Sequence, residues 1–258
     1  MLALARSLMN IQEGLILGWV GLVVGAVVWL RGFRILRRRR LIENTPTSKC
    51  STVAPGLVEV EGKAVGGKPI FSLIVGLPCY CSRLIIERRD GNNWLEGHSD
   101  AVATTFYVED ETGRVRVEPT GAELDLHEDA QFEVHYGQVS AWKFLAEDRR
   151  NKAGNVAARF KEYCAAHGVT TTEKDHVRVT ERNLLPESKV YVLGTANAVS
   201  GAAEAGDRVQ VRRQRGNPFF VAESSQKEVL QALHTSVKPS LYGGGFVMLA
   251  SAAWLLIQ

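Results

Sequence analysis

The chain has 258 residues, of which 45% are hydrophobic, and its formal net charge is +3. This length suits one sizeable domain or two small ones, and this apolar content excludes a disordered chain. Six arginines lie between residues 31 and 40, and without them 25 of the 31 basic residues remain against 28 acidic ones. The basic excess is therefore one short block, and no basic domain suited to nucleic acid is indicated.

The first element in the chain is an apolar run without charge over residues 14–30. Its length is at the short end of what crosses a hydrocarbon core of about 30 Å. A cleaved signal peptide needs basic residues before the apolar run, whereas here the arginines follow it. The run therefore predicts a retained transmembrane helix over residues 13–33, after a short outer tail at 1–12.

A basic collar and exit stretch follows at residues 34–50. Four consecutive arginines surround the helix axis, because an α-helix has 3.6 residues per turn. Each adds about 1 kcal/mol of attraction to anionic lipid headgroups, which makes the bilayer an expected partner. The proline at Pro46 disfavours helix at Thr45 and predicts that the helix ends there. The predicted membrane-orienting residues are Arg37, Arg38, Arg39 and Arg40.

Glycines form a stripe on the same predicted membrane helix. Gly14, Gly18, Gly21 and Gly25 are spaced at i, i+4, i+7 and i+11. Such a stripe lets another membrane helix approach closely, so it predicts packing against the C-terminal segment or against a second copy. The alternative is that glycine is simply common in membrane helices.

The middle of the chain, residues 51–222, alternates apolar and polar residues with a period of two. Segments 56–65, 106–119, 177–194 and 208–215 show this strand pattern, whereas residues 151–167 show a helical stripe. The stripe consists of Val156, Phe160, Tyr163, Cys164 and His167. The sequence predicts a mostly β (α+β) domain with one amphipathic helix, compatible with a small OB-like barrel.

The stretch 106–119 reads as a hairpin, with Asp110 and Gly113 as structural turn residues. We expect Gly113 to take the left-handed turn position, so that a β-branched residue there costs about 1–2 kcal/mol. Replacing Asp110 by alanine is expected to remove one local hydrogen bond, about 1 kcal/mol. The alternative is that Glu109, Asp110 and Glu111 bind a cation.

A serine and a lysine could suggest a catalytic dyad near the C-terminal end. Ser224 and Lys227 have the spacing of a Ser–Lys pair. However, Ser225 and Glu228 form a capping box, which predicts a juxtamembrane helix over residues 223–240 without any chemistry.

Other polar groups could suggest a metal site. His127, Asp129 and His135 are possible ligands, but solvent-facing positions are the favoured interpretation. Cys79 and Cys81 are expected on one face of a strand, with no second cysteine pair to complete a zinc site. The sequence therefore predicts no catalytic, cofactor-binding or metal-binding residues, and no cofactor.

The last element is a second uncharged run over residues 241–257. Its glycine triplet is a poor start for a soluble helix, and Trp254 suits a membrane interface, so a second span is predicted. The arginine collar and Lys238 both lie on the domain side. The positive-inside bias therefore predicts a multi-pass protein of a bacterial-type inner membrane, with a cytoplasmic domain and both termini outside.

Several segments resemble a known family. They are LRRRRLIENTPTSKC, GLVEVEGKA at 56–64, Pro78–Cys79, FYVEDETGRVRVEP, VYVLGTA at 190–196 and NPFFVAESSQKEVL. Together they are similar to the GIDE-type, or BAM ("beside a membrane"), domain of mitochondrial E3 ubiquitin ligases and their prokaryotic relatives. In the mitochondrial ligases this domain lies between two membrane helices, and a C-terminal RING carries the ligase activity. The resemblance therefore implies a domain between two membrane helices in this chain.

The chain has four cysteines and no CxxC pair, so no ligase residues transfer from that family. Three functional hypotheses follow. The first is a standalone, non-catalytic sensing or scaffolding module, for example in envelope stress or defence, with a membrane-protein partner or self-association through the glycines. The second is E3 ubiquitin-ligase-like transfer. The third is nucleic-acid binding by the OB-like barrel, which relies on Arg208, Arg212, Arg213 and Arg215. These arginines alternate with valines and are expected to form one solvated strand face, so no nucleic-acid partner is expected.

Overall fold

The computed structural model describes residues 2–44, 47–135, 138–144, 156–171, 175–199, 208–224 and 239–257. The chain divides into two compact units. One contains Met1–Thr45 and Gln226–Gln258, and the other is Pro46–Ser225. The helices are α1 (Leu2–Asn44), α2 (Val156–His167) and α3 (Gly244–Ile257), and a π-helical turn, Pro239–Gly243, precedes α3.

The strands of the second unit follow in chain order, with a 3₁₀ turn at Cys50–Thr52 before them. They are β1 (Gly56–Val65), β2 (Ile70–Phe71), β3 (Pro78–Cys79), β4 (Cys81–Asp90), β5 (Asn93–Ala103), β6 (Phe106–Asp110), β7 (Gly113–Val117), β8 (Glu123–Asp125), β9 (Glu128–His135), β10 (Gln138–Phe144), β11 (Val177–Leu184), β12 (Lys189–Ala198), β13 (Val209–Arg212) and β14 (Phe220–Ala222).

Helix α1 is longer than the predicted membrane span. It begins at Leu2, so the expected outer tail is largely helical, and it continues through the arginine collar to Asn44. This end agrees with the stop predicted from Pro46. The helical segment Gly18–Arg37 is long and apolar enough to cross a membrane. The apolar helical segment Leu241–Leu256 is shorter than a typical membrane span. The second predicted span is therefore not established by its length.

Within the helical unit, α1 packs against α3 along the glycine stripe. A Cβ at Gly18 would lie 2.5 Å from Leu255 Cδ2, and one at Gly25 would lie 2.7 Å from Met248 Cγ. A Cβ at Gly21 would collide with Ser251 Oγ. Three of the four stripe glycines thus face the C-terminal helix of the same chain, while the surroundings of Gly14 lie outside the described side chains.

In the second unit five strands close into a ring in the order β1–β6–β7–β13–β12, with β12 pairing back to β1. The β7–β13 pair is parallel and the other four pairs are antiparallel. Strands β14 and β8 extend the sheet from β12. This five-stranded barrel confirms the predicted mostly β domain with an OB-like small barrel.

The barrel interior is filled by the apolar residues of the alternating strands. Each fully buried valine or phenylalanine contributes about 1.5–3 kcal/mol relative to an exposed one. The core side chains of the five barrel strands with 0% exposure are Val60, Ala64, Phe106, Val108, Val117, Val190, Val192 and Val211. The predicted strand segments 56–65 and 106–119 therefore supply inward faces as their alternation indicated.

A second sheet is built from two insertions between barrel strands, in the order β10–β9–β11–β4–β5. Helix α2 covers one face of it with Val156, Phe160, Tyr163 and Cys164, all buried. This confirms the predicted helix and its stripe, although His167 is left 43% exposed. Residues 151–155 of the predicted helix lie outside the described part of the chain.

The alternating segment 177–194 contains two strands, because β11 ends at Leu184 and β12 starts at Lys189. One strand prediction needs correction, since Cys79 and Cys81 do not share a strand face. Cys79 ends β3 and Cys81 begins β4, because the chain changes strands at Tyr80.

Candidate functional site

The residues that follow the membrane helix are built into the barrel. We call residues 47–52 the exit segment. Thr47 forms a parallel bridge with Glu59 of β1, and the Ser48 N–H donates to the Glu59 carbonyl at 2.7 Å. Since α1 ends at Asn44, only residues 45 and 46 separate the last helical residue from the first residue bonded to the barrel.

The side chain of Glu59 also holds the exit segment. Its carboxyl group is fully buried and accepts hydrogen bonds from the Thr47 hydroxyl at 2.8 Å and the Tyr191 hydroxyl at 2.7 Å. Burial raises the pKa of Glu59, and these two hydrogen bonds oppose that rise. Because β1 pairs with β12 at Glu59, the carboxyl links the exit segment to the seam that closes the barrel.

The turn between β6 and β7 holds the other end of the exit segment. Asp110 accepts the Cys50 N–H at 2.9 Å, together with the Thr112 hydroxyl at 2.6 Å and the N–H groups of Thr112 at 2.7 Å and Gly113 at 3.1 Å. Partial burial would raise the pKa of Asp110, but hydrogen bonds from Thr112 and Cys50 lower it to about 2. Asp110 is therefore a carboxylate that connects two segments distant in sequence.

The exit segment makes further contacts with the same hairpin. The Cys50 thiol donates to the Val108 carbonyl at 3.4 Å, and burial raises the pKa of Cys50 to about 12. Lys49 pairs with Glu111 at 2.5 Å on the surface. A pair so exposed contributes little to stability. The partly buried bond from Cys50 to Asp110 and the buried bond of the Cys50 thiol therefore contribute more.

The hairpin turn agrees with the prediction in part. Gly113 has the positive φ expected from sequence, but its value of +155° is not that of a left-handed helical turn and is still one that L side chains rarely adopt. A Cβ placed there would meet nothing nearer than the Ser51 nitrogen at 3.9 Å. Asp110 and Gly113 are both turn residues, but the side chain of Asp110 makes the tertiary contacts.

A groove of about 720 Å³ runs beside the exit segment. Its charges are largely matched within the protein, since Lys189 pairs with Glu61 at 3.2 Å and Lys63 with Glu187 at 3.5 Å. The arrangement is suited to holding the exit segment in place.

The possible metal ligands are not brought together. His127 lies 3.7 Å from Glu223, and Asp129 accepts the Asn183 N–H at 2.8 Å. His135 stacks instead on a different histidine, His176, with ring centroids 4.7 Å apart. Among the described residues no three His, Cys, Asp or Glu side chains are placed to hold a metal ion.

The four cysteines are free and buried: Cys50, Cys79, Cys81 and Cys164. Burial raises the pKa of each, to about 12 for Cys79. They are therefore protonated thiols at neutral pH. A thiolate is the form that acts as nucleophile or metal ligand, so their surroundings favour a structural role.

Other predicted positions have simpler outcomes. In the collar, Arg37 and Arg40 are exposed, whereas the side chains of Arg38 and Arg39 lie outside the described set. The Ser225–Glu228 capping box and Lys227 of the suggested dyad are also outside the described residues. The juxtamembrane helix at 223–240 thus stays a prediction.

Two structural groups were missed from sequence. Glu181 is fully buried and accepts the N–H groups of Ile74 and Val75, each at 2.8 Å, which holds the loop before β3. A signal existed, because Glu181 continues the apolar face of Val177 and Val179 with a period of two. No such signal existed for Glu59, which belongs to the polar alternation of β1.

The second missed group is a hydrogen-bonded cluster under α2. The Tyr163 hydroxyl donates to Asp100 Oδ2 at 2.8 Å and accepts from His98 Nε2 at 2.9 Å. Burial and the Asp100 carboxylate raise the pKa of Tyr163. The phenol therefore stays neutral and fastens α2 to β5.

A family model described as "GIDE: E3 Ubiquitin ligase" matches residues 85–256, which is more than half of the chain. The chain therefore belongs to the GIDE family. No curated protein and no solved structure matches it significantly. Together with the apolar helix at Gly18–Arg37, the family match indicates a membrane-associated domain related to E3 ligases.

Proposed function

We propose that this chain is a two-pass membrane protein whose GIDE domain acts as a non-catalytic sensing or scaffolding module at the membrane. The observation that supports this most is the exit segment. It is hydrogen-bonded to β1 through Glu59 and to the β6–β7 turn through Asp110, and its first bonded residue, Thr47, is the third after the helix ends at Asn44. A partner that shifts these strands would act on the chain where it leaves the helix.

The proposed arrangement places the soluble domain in the cytoplasm of a bacterial-type cell and both termini outside. The arginine collar supports this orientation, since Lys and Arg close to a span favour the cytoplasmic side. Anionic headgroups are the proposed lipid partners of Arg37 and Arg40. The second span would be the apolar segment at Leu241–Leu256, packed on the α1 glycines.

Labelling with a membrane-impermeant thiol reagent tests this orientation. A cysteine introduced at Asn92, which is exposed at the β4–β5 turn, should react only after the cells are permeabilised. The four native cysteines are buried and serve as an internal background. Reaction in intact cells would place the domain outside and overturn the orientation.

The scaffolding role is tested by recovery of partners with the full chain in detergent. The Thr47→Val and Asp110→Ala double variant removes both side-chain ties to the exit segment. Glu109→Ala is a matched control, because Glu109 is exposed on the same hairpin. We expect one set of membrane proteins to co-purify with the native chain and the control, and to be depleted from the double variant. Equal recovery from all three proteins would remove the support for coupling through the exit segment.

The family description favours a second candidate, E3 ubiquitin-ligase-like activity. It predicts that the purified full chain transfers ubiquitin from a charged conjugating enzyme and contains stoichiometric zinc, since a RING depends on bound zinc. The buried, protonated cysteines of the described residues support the non-catalytic reading instead. Zinc-dependent ubiquitin transfer by the native chain would overturn the non-catalytic proposal.

A further inference from the structure

A group of three arginines borders a groove at one end of the barrel. The groove has a volume of about 500 Å³ and lies between the turn after β7 and the turn after β13. We call it the arginine groove. Its charged lining residues are Glu118, Arg212, Arg213 and Arg215, and its neutral polar ones are Thr120, Asn197 and Gln214.

Hydrogen bonds between the two turns preform the groove. The Glu118 N–H donates to the Val211 carbonyl at 2.9 Å, and the Arg213 guanidinium donates to the Gly121 carbonyl at 3.0 Å. Asn217 Nδ2 donates to the Thr195 hydroxyl at 2.9 Å, which joins the turn after β13 to β12. The backbone that carries the arginines is therefore held by the barrel itself.

The charge of the groove is unbalanced. Three guanidinium groups face a single carboxylate, Glu118, which accepts a hydrogen bond from the neutral amide of Gln210 at 2.9 Å. Within the described part of the chain, Arg212 and Arg215 enter no ion pair, and Arg213 is bonded only to a backbone carbonyl. Like charges held at one concave site attract an anion, because their fields add there.

We propose that the arginine groove binds a small phosphate-bearing anion, supplied either by a soluble phosphorylated molecule or by a lipid headgroup. The planar fork of an arginine matches phosphate oxygens with two parallel hydrogen bonds. The volume is that of a small-molecule site. Nucleic acid is disfavoured, because single strands are gripped by stacking on aromatic side chains and no described lining residue is aromatic. This site goes beyond the proposed scaffolding role and does not depend on it.

The test uses inorganic pyrophosphate and the full chain in zwitterionic detergent. The arginine collar also attracts anions, so total anion binding would not identify the site. Hydrogen–deuterium exchange separates the two sites, because the collar and the groove lie in different peptides. We expect pyrophosphate to slow exchange in peptides that cover residues 118–123 and 212–219. The pyrophosphate concentration needed for half of this effect gives the affinity.

The Arg212→Gln and Arg215→Gln double variant should weaken this affinity by at least about tenfold, since it removes charge-assisted contacts. Arg208→Gln is the matched control, because Arg208 is exposed just before β13 and outside the described lining. It should change the affinity less than about twofold. Equal weakening by both variants, or protection confined to residues 34–44, would overturn the proposal.

Two further arms identify the source of the phosphate. In the first, the full chain is reconstituted in bilayers that contain phosphatidic acid. If pyrophosphate no longer protects the groove peptides there, the ligand is a lipid headgroup. If pyrophosphate still binds in those bilayers, the ligand is a soluble molecule. In the second, single-stranded DNA is tested on the same peptides. If it protects them more than pyrophosphate does, and if this protection increases with strand length, the small-ligand assignment is wrong.

Discussion

Replacing Asp110 by alanine tests whether the β6–β7 turn holds the exit segment or only closes a hairpin. The carboxylate accepts four hydrogen bonds, from Cys50, twice from Thr112 and from Gly113. The three bonds within the turn are exposed, so water replaces them at a small cost. The bond to the Cys50 N–H is partly buried and joins residues 60 positions apart.

The magnitude follows from these contacts. A hydrogen bond to a charged group contributes about 1.5–3 kcal/mol and an exposed one less, so Asp110→Ala should cost about 2–3 kcal/mol. Gly113→Val should cost about 1–2 kcal/mol, because its φ of +155° is strained for valine although the space for a side chain is open. The sequence alone predicted the reverse order.

The assay is urea denaturation of the full chain in detergent, and unfolding is monitored by a spectroscopic signal of the β unit. Glu109→Ala, on the exposed side of the same hairpin, is the control and should stay within about 0.5 kcal/mol of the native chain. If Asp110→Ala is as stable as this control, the carboxylate does not hold the exit segment. If Gly113→Val is the less stable of the two turn variants, the sequence-based order was right.

Three other predictions concern pH, helix packing and domain autonomy. The pKa of Asp110 is lowered from 3.8 to about 2, so its contribution to stability is present above pH 3.8 and is lost as the pH falls towards 2. Asp110→Asn should flatten that part of an acid-unfolding curve, and an unchanged curve would contradict the assignment. In the helical unit, Gly25→Leu should loosen the α1–α3 packing, because a Cβ would lie 2.8 Å from the Met248 backbone nitrogen. Val23→Leu, on the exposed face of α1, is the control. The yield of cysteine cross-linking between α1 and α3 measures the difference between the two variants. Residues 46–225 expressed alone should give a circular dichroism spectrum dominated by β-structure and a cooperative melt, and a mainly helical spectrum would refute an autonomous barrel.

Much of the local structure was predictable from the sequence because it depends on neighbouring residues. Alternation with a period of two located β1 and the β6–β7 hairpin, and the helical stripe located α2. Pro46 set the end of α1, since a proline disfavours helix in the residue before it. The barrel class followed from the order of these elements.

The contacts that make the site were decided by tertiary structure. Closure of the barrel joins β1 to β12 and β7 to β13, strands that are far apart in sequence, and no local pattern encodes their register. That closure buries Glu59, which alternation had assigned to a polar face, and places it against Thr47 and Tyr191. It also brings the ends of β7 and β13, with Glu118 and Arg212, together at one groove. Periodicity reports which face of a strand is apolar, but only the packing of distant strands decides which polar side chains meet.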